Sequence, residues 1–441
     1  MLRKIVILIP MLLICFISRA QYNYSQFRYA DVDVKGLSVN PEAYAGHRNY
    51  NSSFDSKDDL LGLFINGSAN YFRFVNFQDV QARTSFNNYL QLNGYVDGND
   101  LTYNQFTVQS LYSTSKTRFK QDQHFRETKL VVSSNESRQT VHNRLNPEQN
   151  TINWFISPQA SFEYNFGKGR IEPIGPVFLA RFIVEDLKNE ARQKDGTTLE
   201  DQFMMGTSKE WSQEELFELG RLIATQQNRR VFDFRVRIKD QIRKVVEYIA
   251  NKKQLDPLDV YGIVADNWQF AYQFNRSCGS RAYWGVAPMA TFSAFNKNRD
   301  YSTTLSLHRG WRKEVPVSYN RQKSIEARIG AGVSHYINDI LSYNHFYLYT
   351  SFLYEVGYFP TSRTYAGLTF SFDGEARYRD ETEDIGYNIY SAINFRASYF
   401  LSYNTRLNLG GRFLRRFFKI YDYRQDDLNL VLTAGLVHNF Y

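Results

Sequence analysis

Cysteine and long hydrophobic runs are both scarce in this chain of 441 residues. It has two cysteines, and Cys15 lies within a leader segment, so Cys278 is left without a partner for an internal disulfide. Beyond the leader, no segment approaches the ~20 consecutive apolar residues that a membrane-spanning helix needs. The mean hydropathy is also low, at −0.48. These features exclude a disulfide-stabilised scaffold and a bundle of membrane helices.

The first twenty residues have the pattern of a secretory signal peptide. Arg3 and Lys4 supply a positive start, residues 5–17 form a largely apolar run, and residues 18–20 (SRA) make a small-x-small cleavage site. The apolar run is too short for a membrane anchor. We therefore predict an exported protein whose mature chain begins at Gln21.

Export also affects how the charge is interpreted. The formal net charge of +8 would suit a nucleic-acid partner, but the chain has no nucleic-acid-binding motif and is predicted to leave the cytoplasm. We therefore predict no nucleic-acid partner. The expected alternative is a surface or lumen that tolerates anions.

Aromatic residues are abundant, with 32 Tyr and 35 Phe against 10 Pro. Aromatic side chains favour strands and gather at membrane interfaces. In residues 362–378, apolar side chains such as Leu368 and Phe370 alternate with polar ones such as Thr369 and Asp373. Successive side chains in a strand point to opposite faces, so this strand has one apolar and one charged face. Its length suits a tilted strand crossing a bilayer, which needs roughly 9–11 residues plus its ends.

The same alternation recurs along much of the chain and predicts an all-β membrane barrel of antiparallel strands. Roughly 12–16 strands fit the pattern, and about fourteen is the best count. An even number is expected because bacterial barrels usually have one. The last predicted strand, residues 428–441, carries Phe440 on its apolar parity. It resembles the aromatic-ended last strand of bacterial outer-membrane proteins, and the predicted location is the cell outer membrane.

The hydrophobic period changes to that of a helix in the middle of the chain. Ser212 and Glu215 form a capping-box pattern, and apolar residues from Phe234 to Ile249 recur at helical spacing. Such a segment cannot form barrel wall, so we predict an inserted α-helical domain. The predicted organisation is a signal peptide at 1–20, a periplasmic N-terminal extension at 21–57, a first part of the barrel at 58–166, the helical insert at 167–266 and a second part of the barrel at 267–441.

The side of the membrane on which the insert lies depends on how many strands precede it. Both chain ends are expected in the periplasm. Five preceding strands would place the insert outside the cell, whereas four or six would place it in the periplasm. The sequence leaves both sides open, because residues 101–143 are polar and hold an uncertain number of strands.

Residues 167–174, GKGRIEPI, lie between a predicted strand and the first predicted helix. Together with the SRAQ cleavage region, this motif resembles a junction of uncharacterised outer-membrane β-barrel proteins of Bacteroidota type. The resemblance implies a barrel with a helical insertion and no established activity. From the residues themselves, Gly167 and Gly169 permit a sharp turn, and Arg170 and Glu172 could pair across the barrel rim. An ordinary strand-to-helix linker is the alternative.

Charged residues on the polar parity of the predicted strands should face the lumen, because a midplane Arg facing lipid costs roughly 2–4 kcal/mol. Opposite charges could pair and close the lumen, or an excess of Arg could line a passage that favours anions. The candidate lumen-lining residues are Glu326, Arg328, Glu375, Arg377, Arg396, Arg406 and Arg412.

The predicted function is a pore or a transport or binding barrel whose helical insert acts as a lid, a plug or a docking element. A structural or assembly component of the outer membrane is the alternative, and an outer-membrane enzyme is less favoured. The sequence offers no catalytic, cofactor-binding or metal-ligating constellation, since its seven histidines lack metal-ligand spacing. Expected partners are outer-membrane lipid or lipopolysaccharide and a protein partner at the insert.

Overall fold

A computed structural model shows fourteen strands in a single antiparallel sheet, each paired with the next along the chain from β1 to β14. The strands are 16–23 residues long. The structure describes residues 24–29, 31–51, 57–96, 101–120, 122–143, 147–195, 211–228, 238–270, 276–339, 342–379, 384–402, 405–420 and 423–438.

Six strands come before the helices and eight come after them. The first six are β1 (Val32–Asn51), β2 (Lys57–Asn76), β3 (Val80–Val96), β4 (Leu101–Phe119), β5 (His124–Asn143) and β6 (Thr151–Pro173). The last eight are β7 (Ser277–Phe295), β8 (Asn298–Ser318), β9 (Arg321–Asn338), β10 (Ser342–Thr361), β11 (Thr364–Arg379), β12 (Asp384–Phe400), β13 (Thr405–Ile420) and β14 (Tyr423–His438).

Side chains alternate between an apolar outer face and a polar inner face along these strands. Leu348, Ile329 and Leu432 are 64%, 64% and 76% exposed on the outer face, which a water-soluble sheet would avoid over so wide an area. Inward-facing neighbours such as Tyr349 and Arg328 are half-buried. The fold is therefore an antiparallel membrane β-barrel with an inserted α-helical domain, as predicted.

Four helices form the inserted domain between β6 and β7. They are α1 (Gly175–Asp195), α2 (Gln213–Asn228), α3 (Ile238–Lys253) and α4 (Pro257–Phe270). Among the described residues, no helix is long and apolar enough to cross a bilayer.

The helices pack around a core of their own. Ile183, Leu219, Ile249 and Val264 are fully buried there, and each buried side chain of this size stabilises the domain by roughly 1.5–3 kcal/mol. The predicted capping box at the start of α2 is confirmed: the Glu215 amide donates to Ser212 Oγ at 3.1 Å and the Ser212 amide donates to Glu215 Oε2 at 2.9 Å.

The predicted N-terminal extension at 21–57 is wrong over most of its described length. Residues 32–51 form β1, which pairs with β2 along twenty positions. The sequence of β1 mixes Asp33, Lys35 and Glu42 with its apolar residues, so its alternation is weak. Pairing with β2, not its own pattern, defines this strand.

The predicted boundaries of the insert at 167 and 266 also need correction. Residues 167–173 continue β6, because they pair with β7 from Gly167 opposite Tyr283 to Pro173 opposite Ser277. At the other boundary, α4 continues to Phe270.

Because six strands precede the helical domain, the domain lies at the same end of the barrel as the start of β1 and the end of β14. We call this end the lower end and the opposite end the upper end. The earliest described residues join the helical domain there, since Tyr24 and Phe27 are 3% and 1% exposed within its core. The Tyr24 ring stacks on Phe178 at 4.7 Å between centroids.

Candidate functional site

Two glycines with positive φ lie near each other at the lower ends of β6 and β7. Gly169 has φ +105° and Gly279 has φ +124°, a conformation that residues with a Cβ rarely adopt. Gly169 pairs with Arg281, and Gly279 pairs with Ile171 two positions further on. We call this part of the two strands the glycine bend. Arg170 and Arg281 both lie within it.

Arg170, between the two glycine pairs, reaches across the lower mouth to the β2–β3 turn. Its guanidinium donates to the carbonyl oxygens of Gln78 at 2.6 Å and Phe77 at 2.9 Å. Its Nε also lies 2.6 Å from Glu172 Oε1, and Glu172 accepts from Arg28 at 2.8 Å. Arg170 and Glu172 thus pair with each other on one strand, while Arg170 also makes the contact across the rim.

Arg281 makes a second contact across the lumen, one step higher. Its Nη2 donates to Gln81 Oε1 of β3 at 2.7 Å, and its Nη1 donates to Glu127 of β5 at 3.3 Å. β3 and β7 are four strands apart in the sheet, which is about 19 Å along the wall. Side chains that meet directly over that separation cross the lumen. The lower lumen is therefore bridged by protein atoms.

A buried polar cluster continues this bridge over β5 to β9. His308 is 1% exposed, and its Nε2 lies 3.2 Å from Glu163 Oε1 and 3.1 Å from Asn165 Oδ1. Arg328 Nη2 lies 3.5 Å from Glu163. Asn165 donates to Glu163 at 2.8 Å, so the buried carboxylate has several partners. We call Glu127, Lys129, Glu163, Asn165, Arg281, His308 and Arg328 the lower network.

Charges in the lower network are nearly balanced. Lys129 lies 3.3 Å from Glu127 and 3.4 Å from Glu163, so two carboxylates face three permanent cations. A buried charge without a partner would cost several kcal/mol. Pairing therefore allows this part of the lumen to be filled with charged side chains.

The seven sequence-predicted lumen residues do not form a single cluster. Arg328 belongs to the lower network, and Glu326 lies 3.8 Å from Arg312 of β8. Glu375 and Arg377 pair with each other on β11. The remaining three arginines lie on β12 and β13, away from that network: Arg412 donates to the Tyr390 hydroxyl, the Arg406 guanidinium lies 5.6 Å from the Phe400 ring centroid, and Arg396 lies opposite Gly367 and Gly410.

Most of the lower network was not selected from the sequence. Glu163 and Asn165 lie on the polar parity of β6, and His308 is one of the seven histidines whose spacing predicts no metal site. A parity analysis of β5 and β7 would have added Lys129 and Arg281 to the inward set. It would not have shown that these side chains meet, because alternation identifies a face and not a partner.

The helical domain contacts lower turns of the barrel between β7 and β11. Arg276, just before β7, lies 3.1 Å from the Phe178 ring centroid of α1 and donates to the Tyr319 carbonyl in the β8–β9 turn at 2.5 Å. Asp266 of α4 pairs with Arg363 in the β10–β11 turn. The domain therefore contacts two successive lower turns, those between β8 and β9 and between β10 and β11, as well as the start of β7.

Two cavities show the difference between the ends of the lumen. The lower cavity has a volume of about 310 Å³ and is lined by residues that include Arg312, Glu314, Glu326 and Glu355. The upper cavity is about 1010 Å³ and is lined by residues of β11 to β14 that include Asp373, Asn388 and Arg416. Within the described ranges, no three His, Cys, Asp or Glu side chains are grouped closely enough to hold a metal ion.

Comparisons with known proteins give weak matches. No family model and no curated protein matches the chain. One similar solved structure is the TodX monoaromatic hydrocarbon channel deltaS2 mutant, with 6% identity, a TM-score of 0.30, and 96% of this chain and 93% of that chain covered. Another is the beta domain of the Bordetella autotransporter BrkA, with 6% identity, a TM-score of 0.23, and 92% and 100% covered. The strand order and side-chain alternation, not these matches, define the fold class.

Proposed function

We propose that this protein is an outer-membrane channel whose lower mouth is closed by its helical domain and by the lower network. The observation that carries the proposal is the direct contact between β7 and β3 through Arg281 and Gln81. A barrel that served only as a membrane anchor would not need polar contacts across its lumen at one end and an open cavity at the other.

The helical domain is suited to act as the lid of this channel. It is joined to the barrel wall by separate contacts at the β8–β9 and β10–β11 turns, so it could detach while the strand ladder stays intact. Such domain contacts through polar side chains are typical of interfaces that open and close. Its release would uncover the glycine bend and leave only side-chain contacts across the lumen.

The lid is assigned to the periplasmic side. It lies at the same end as the first and last strand termini, and the termini of bacterial barrels face the periplasm. This assignment can be tested with single cysteines at Lys252 on the exposed end of α3 and at Lys297 in the β7–β8 turn of the upper end. A membrane-impermeant maleimide should label only the Lys297→Cys variant on intact cells. Labelling of Lys252→Cys on intact cells would place the lid outside.

Conductance in planar bilayers tests the channel itself. We would compare the full chain, a variant with residues 175–270 replaced by a short flexible linker, and a variant with that deletion plus Arg170→Ala and Arg281→Ala. The expected conductance rises in that order, because first the lid and then the side-chain bridge is removed. A barrel that folds in all three forms and conducts in none would overturn the proposal.

A structural or assembly role is the second candidate, and one surface favours it. Leu255, Leu258 and Tyr261 are 41%, 81% and 42% exposed on the helical domain. Exposed apolar groups of this kind often mark protein interaction sites. A photo-crosslinking residue at Leu258 should then capture one periplasmic protein reproducibly, and a matched position at the exposed Arg243 should not. Equal capture at both positions would remove this candidate.

A further inference from the structure

Aromatic rings follow the inner face of β10 at alternate positions. Tyr343, His345, Tyr347 and Tyr349 have successive centroid separations of 6.0, 6.4 and 5.9 Å. Tyr336 of β9 extends the row, with its ring 5.0 Å from that of Tyr343. We call these five residues the aromatic ladder. It runs through the upper part of the lumen, above the lower network.

Glycines on β9 form a floor for the two lower tyrosines. Gly330 pairs with Tyr349, and Gly332 pairs with Tyr347. A Cβ at Gly330 would lie only 2.5 Å from Tyr349 Cζ, and one at Gly332 only 2.6 Å from Tyr347 Cζ. The rings therefore rest on the glycine backbone. Both tyrosines are only half-buried, so the opposite ring faces are open to the lumen.

Charged residues of β11 flank the open faces. Glu375 lies opposite Tyr349 and Arg377 lies opposite Tyr347 in the strand register. The two charged side chains pair with each other, so this flank offers donors and acceptors with no net charge. At the top of the ladder the Arg379 guanidinium lies 3.6 Å from the Tyr343 ring centroid. At the lower end the Arg328 guanidinium lies 5.8 Å from the Tyr349 ring centroid. The stacking surface between these two arginines is thus formed by Tyr347 and Tyr349.

We propose that the aromatic ladder binds a neutral oligosaccharide chain within the upper lumen. A sugar ring has an apolar C–H face and a rim of hydroxyl groups. The first would stack on Tyr347 and Tyr349, and the second would hydrogen-bond to the Glu375–Arg377 pair, as an amphipathic ligand requires. The four rings of β10 extend over about 20 Å, which suits a chain of several sugar units.

Other ligand classes fit the surroundings less well. An aromatic hydrocarbon would leave Glu375 and Arg377 without the polar partners that water gives them. An organic cation would have to compete with Arg377 for Glu375 and would lie near Arg379 and Arg328. A neutral polyhydroxylated chain satisfies both the ring faces and the paired charges.

The inference deepens the proposed channel function by naming its substrate class, but binding itself needs only the upper lumen and not an open lower mouth. Isothermal titration of the full chain in detergent would use maltohexaose, cellohexaose and xylohexaose as separate probes. Toluene and benzyltrimethylammonium would serve as the aromatic and cationic probes. We expect at least one hexasaccharide to bind and neither of the other probes to do so.

Variants separate a binding ladder from one that only supports the wall. Tyr347→Ala with Tyr349→Ala should weaken saccharide binding about tenfold, which is ~1.4 kcal/mol. Tyr347→Phe with Tyr349→Phe keeps the ring faces and should bind within about threefold of the original chain, or ~0.7 kcal/mol. The matched control is Tyr354→Ala, on the outer face of the same strand, with unchanged binding expected. The slower gel mobility of unheated, folded barrels would be checked for every variant.

Binding of no saccharide, or equal binding by the alanine variant when folded, would overturn the proposal. If that variant does not fold, Glu375→Gln with Arg377→Gln replaces it, with the same loss expected and unchanged binding counting against the ladder. Conductance separates the two ideas. Saccharide binding without conductance in any of the three forms would overturn the proposed channel function but support the ladder as a binding site. Conductance without saccharide binding would support the channel function but overturn the proposed binding role of the ladder.

Discussion

The lower and upper halves of the lumen are built from the same inward parity of the same strands, yet they are filled differently. In the lower half, charged and amide side chains from β3, β5, β6 and β7 meet across the interior. In the upper half, rings lie flat against the wall and a cavity of about 1010 Å³ remains. Polar alternation therefore permits both a closed and an open interior. Side-chain reach and local backbone bends decide which one forms.

Glycine contributes to both halves in opposite ways. At the glycine bend, Gly169 and Gly279 take positive φ values. Under the aromatic ladder, Gly330 and Gly332 keep ordinary strand geometry and let rings lie down. The glycine bend lies beside arginines that reach into the lumen, whereas Gly330 and Gly332 let tyrosine rings lie against the barrel wall.

The largest expected effect is on the lower half alone. Arg281→Ala should destabilise the barrel by about 2–4 kcal/mol, because it removes the hydrogen bonds to Gln81 and Glu127 together, while Lys129 remains beside Glu127. Urea unfolding of the protein refolded in lipid vesicles would measure this. The matched control is Arg415→Ala, which removes an exposed pair with Asp426 at 2.9 Å and should change the stability much less than Arg281→Ala. Equal losses would show that the lower network contributes no more than a surface pair.

Gly169→Ala should have the next largest effect. The alanine would have to hold φ near +105°, at a cost of roughly 1–3 kcal/mol, or the glycine bend would straighten and break the Arg170 contacts. The same unfolding assay applies. Gly67→Ala is the control, since a Cβ at Gly67 meets nothing within 4 Å, and its effect should stay within about 0.5 kcal/mol. A neutral Gly169→Ala would mean that the bend is not needed.

Arg276→Lys should loosen the lid without unfolding the barrel. Arg276 stacks on Phe178 and donates to three carbonyl oxygens and to Gln322, a planar geometry that an ammonium group cannot reproduce. We expect about 1–3 kcal/mol less protection of the α1 amides against hydrogen exchange, with β10 unchanged. Arg243→Lys, on an exposed face of α3, should leave α1 as it was. Uniform loss of protection in helices and strands would argue against a separate lid.

The smallest effect concerns pH and the helical domain. Burial of Glu215 would raise its pKa, but the Ser212 amide and the Lys253 ammonium outweigh this and hold the pKa below its ordinary value. Its stabilisation is therefore complete above the unfolded-state pKa of about 4.3 and is lost as the pH falls through the lower folded-state pKa. Glu215→Gln should remove about 0.5 kcal/mol of stability at pH 6 and much less at pH 3.

Helical-domain unfolding followed by circular dichroism at both pH values would measure the Glu215→Gln effect. Ser212→Ala is the companion variant, because it removes a cap without removing the charge and should cost about 1 kcal/mol. A Glu215→Gln effect that is the same at pH 6 and pH 3 would show that its charge is irrelevant.

The sequence predicts those parts of the fold whose residues follow a clear pattern with their near neighbours in the chain. The alternation of β9 and β11 is visible in the sequence because lipid demands apolar residues on one face. The capping box of α2 is visible because its partners are three residues apart. Residues 101–143, whose number of strands the sequence leaves open, form β4 and β5. The strand β1 was missed because its own alternation is weak and its pairing with β2 is a long-range property.

The candidate site was harder to predict because its contacts join residues that are distant in the sequence. Arg170 and Glu172 were selected because of the motif around them, and their mutual pairing is observed. The contact of Arg281 with Gln81 joins residues two hundred positions apart. The periodicity of the sequence cannot predict such a contact, because it identifies each of these residues only as a polar side chain that faces inward.

The burial of Tyr24 and Phe27 has a practical consequence for handling the protein. If the chain is cleaved after Ala20, as predicted, an affinity tag fused to the mature N-terminus would begin only a few residues from the Tyr24–Phe178 stack and the Phe27–Phe217 contact. Its bulk would compete with the packing that completes the helical domain. Affinity tags are better inserted at the upper-end turn between β7 and β8, where Lys297 is exposed and Asn296 is half-buried.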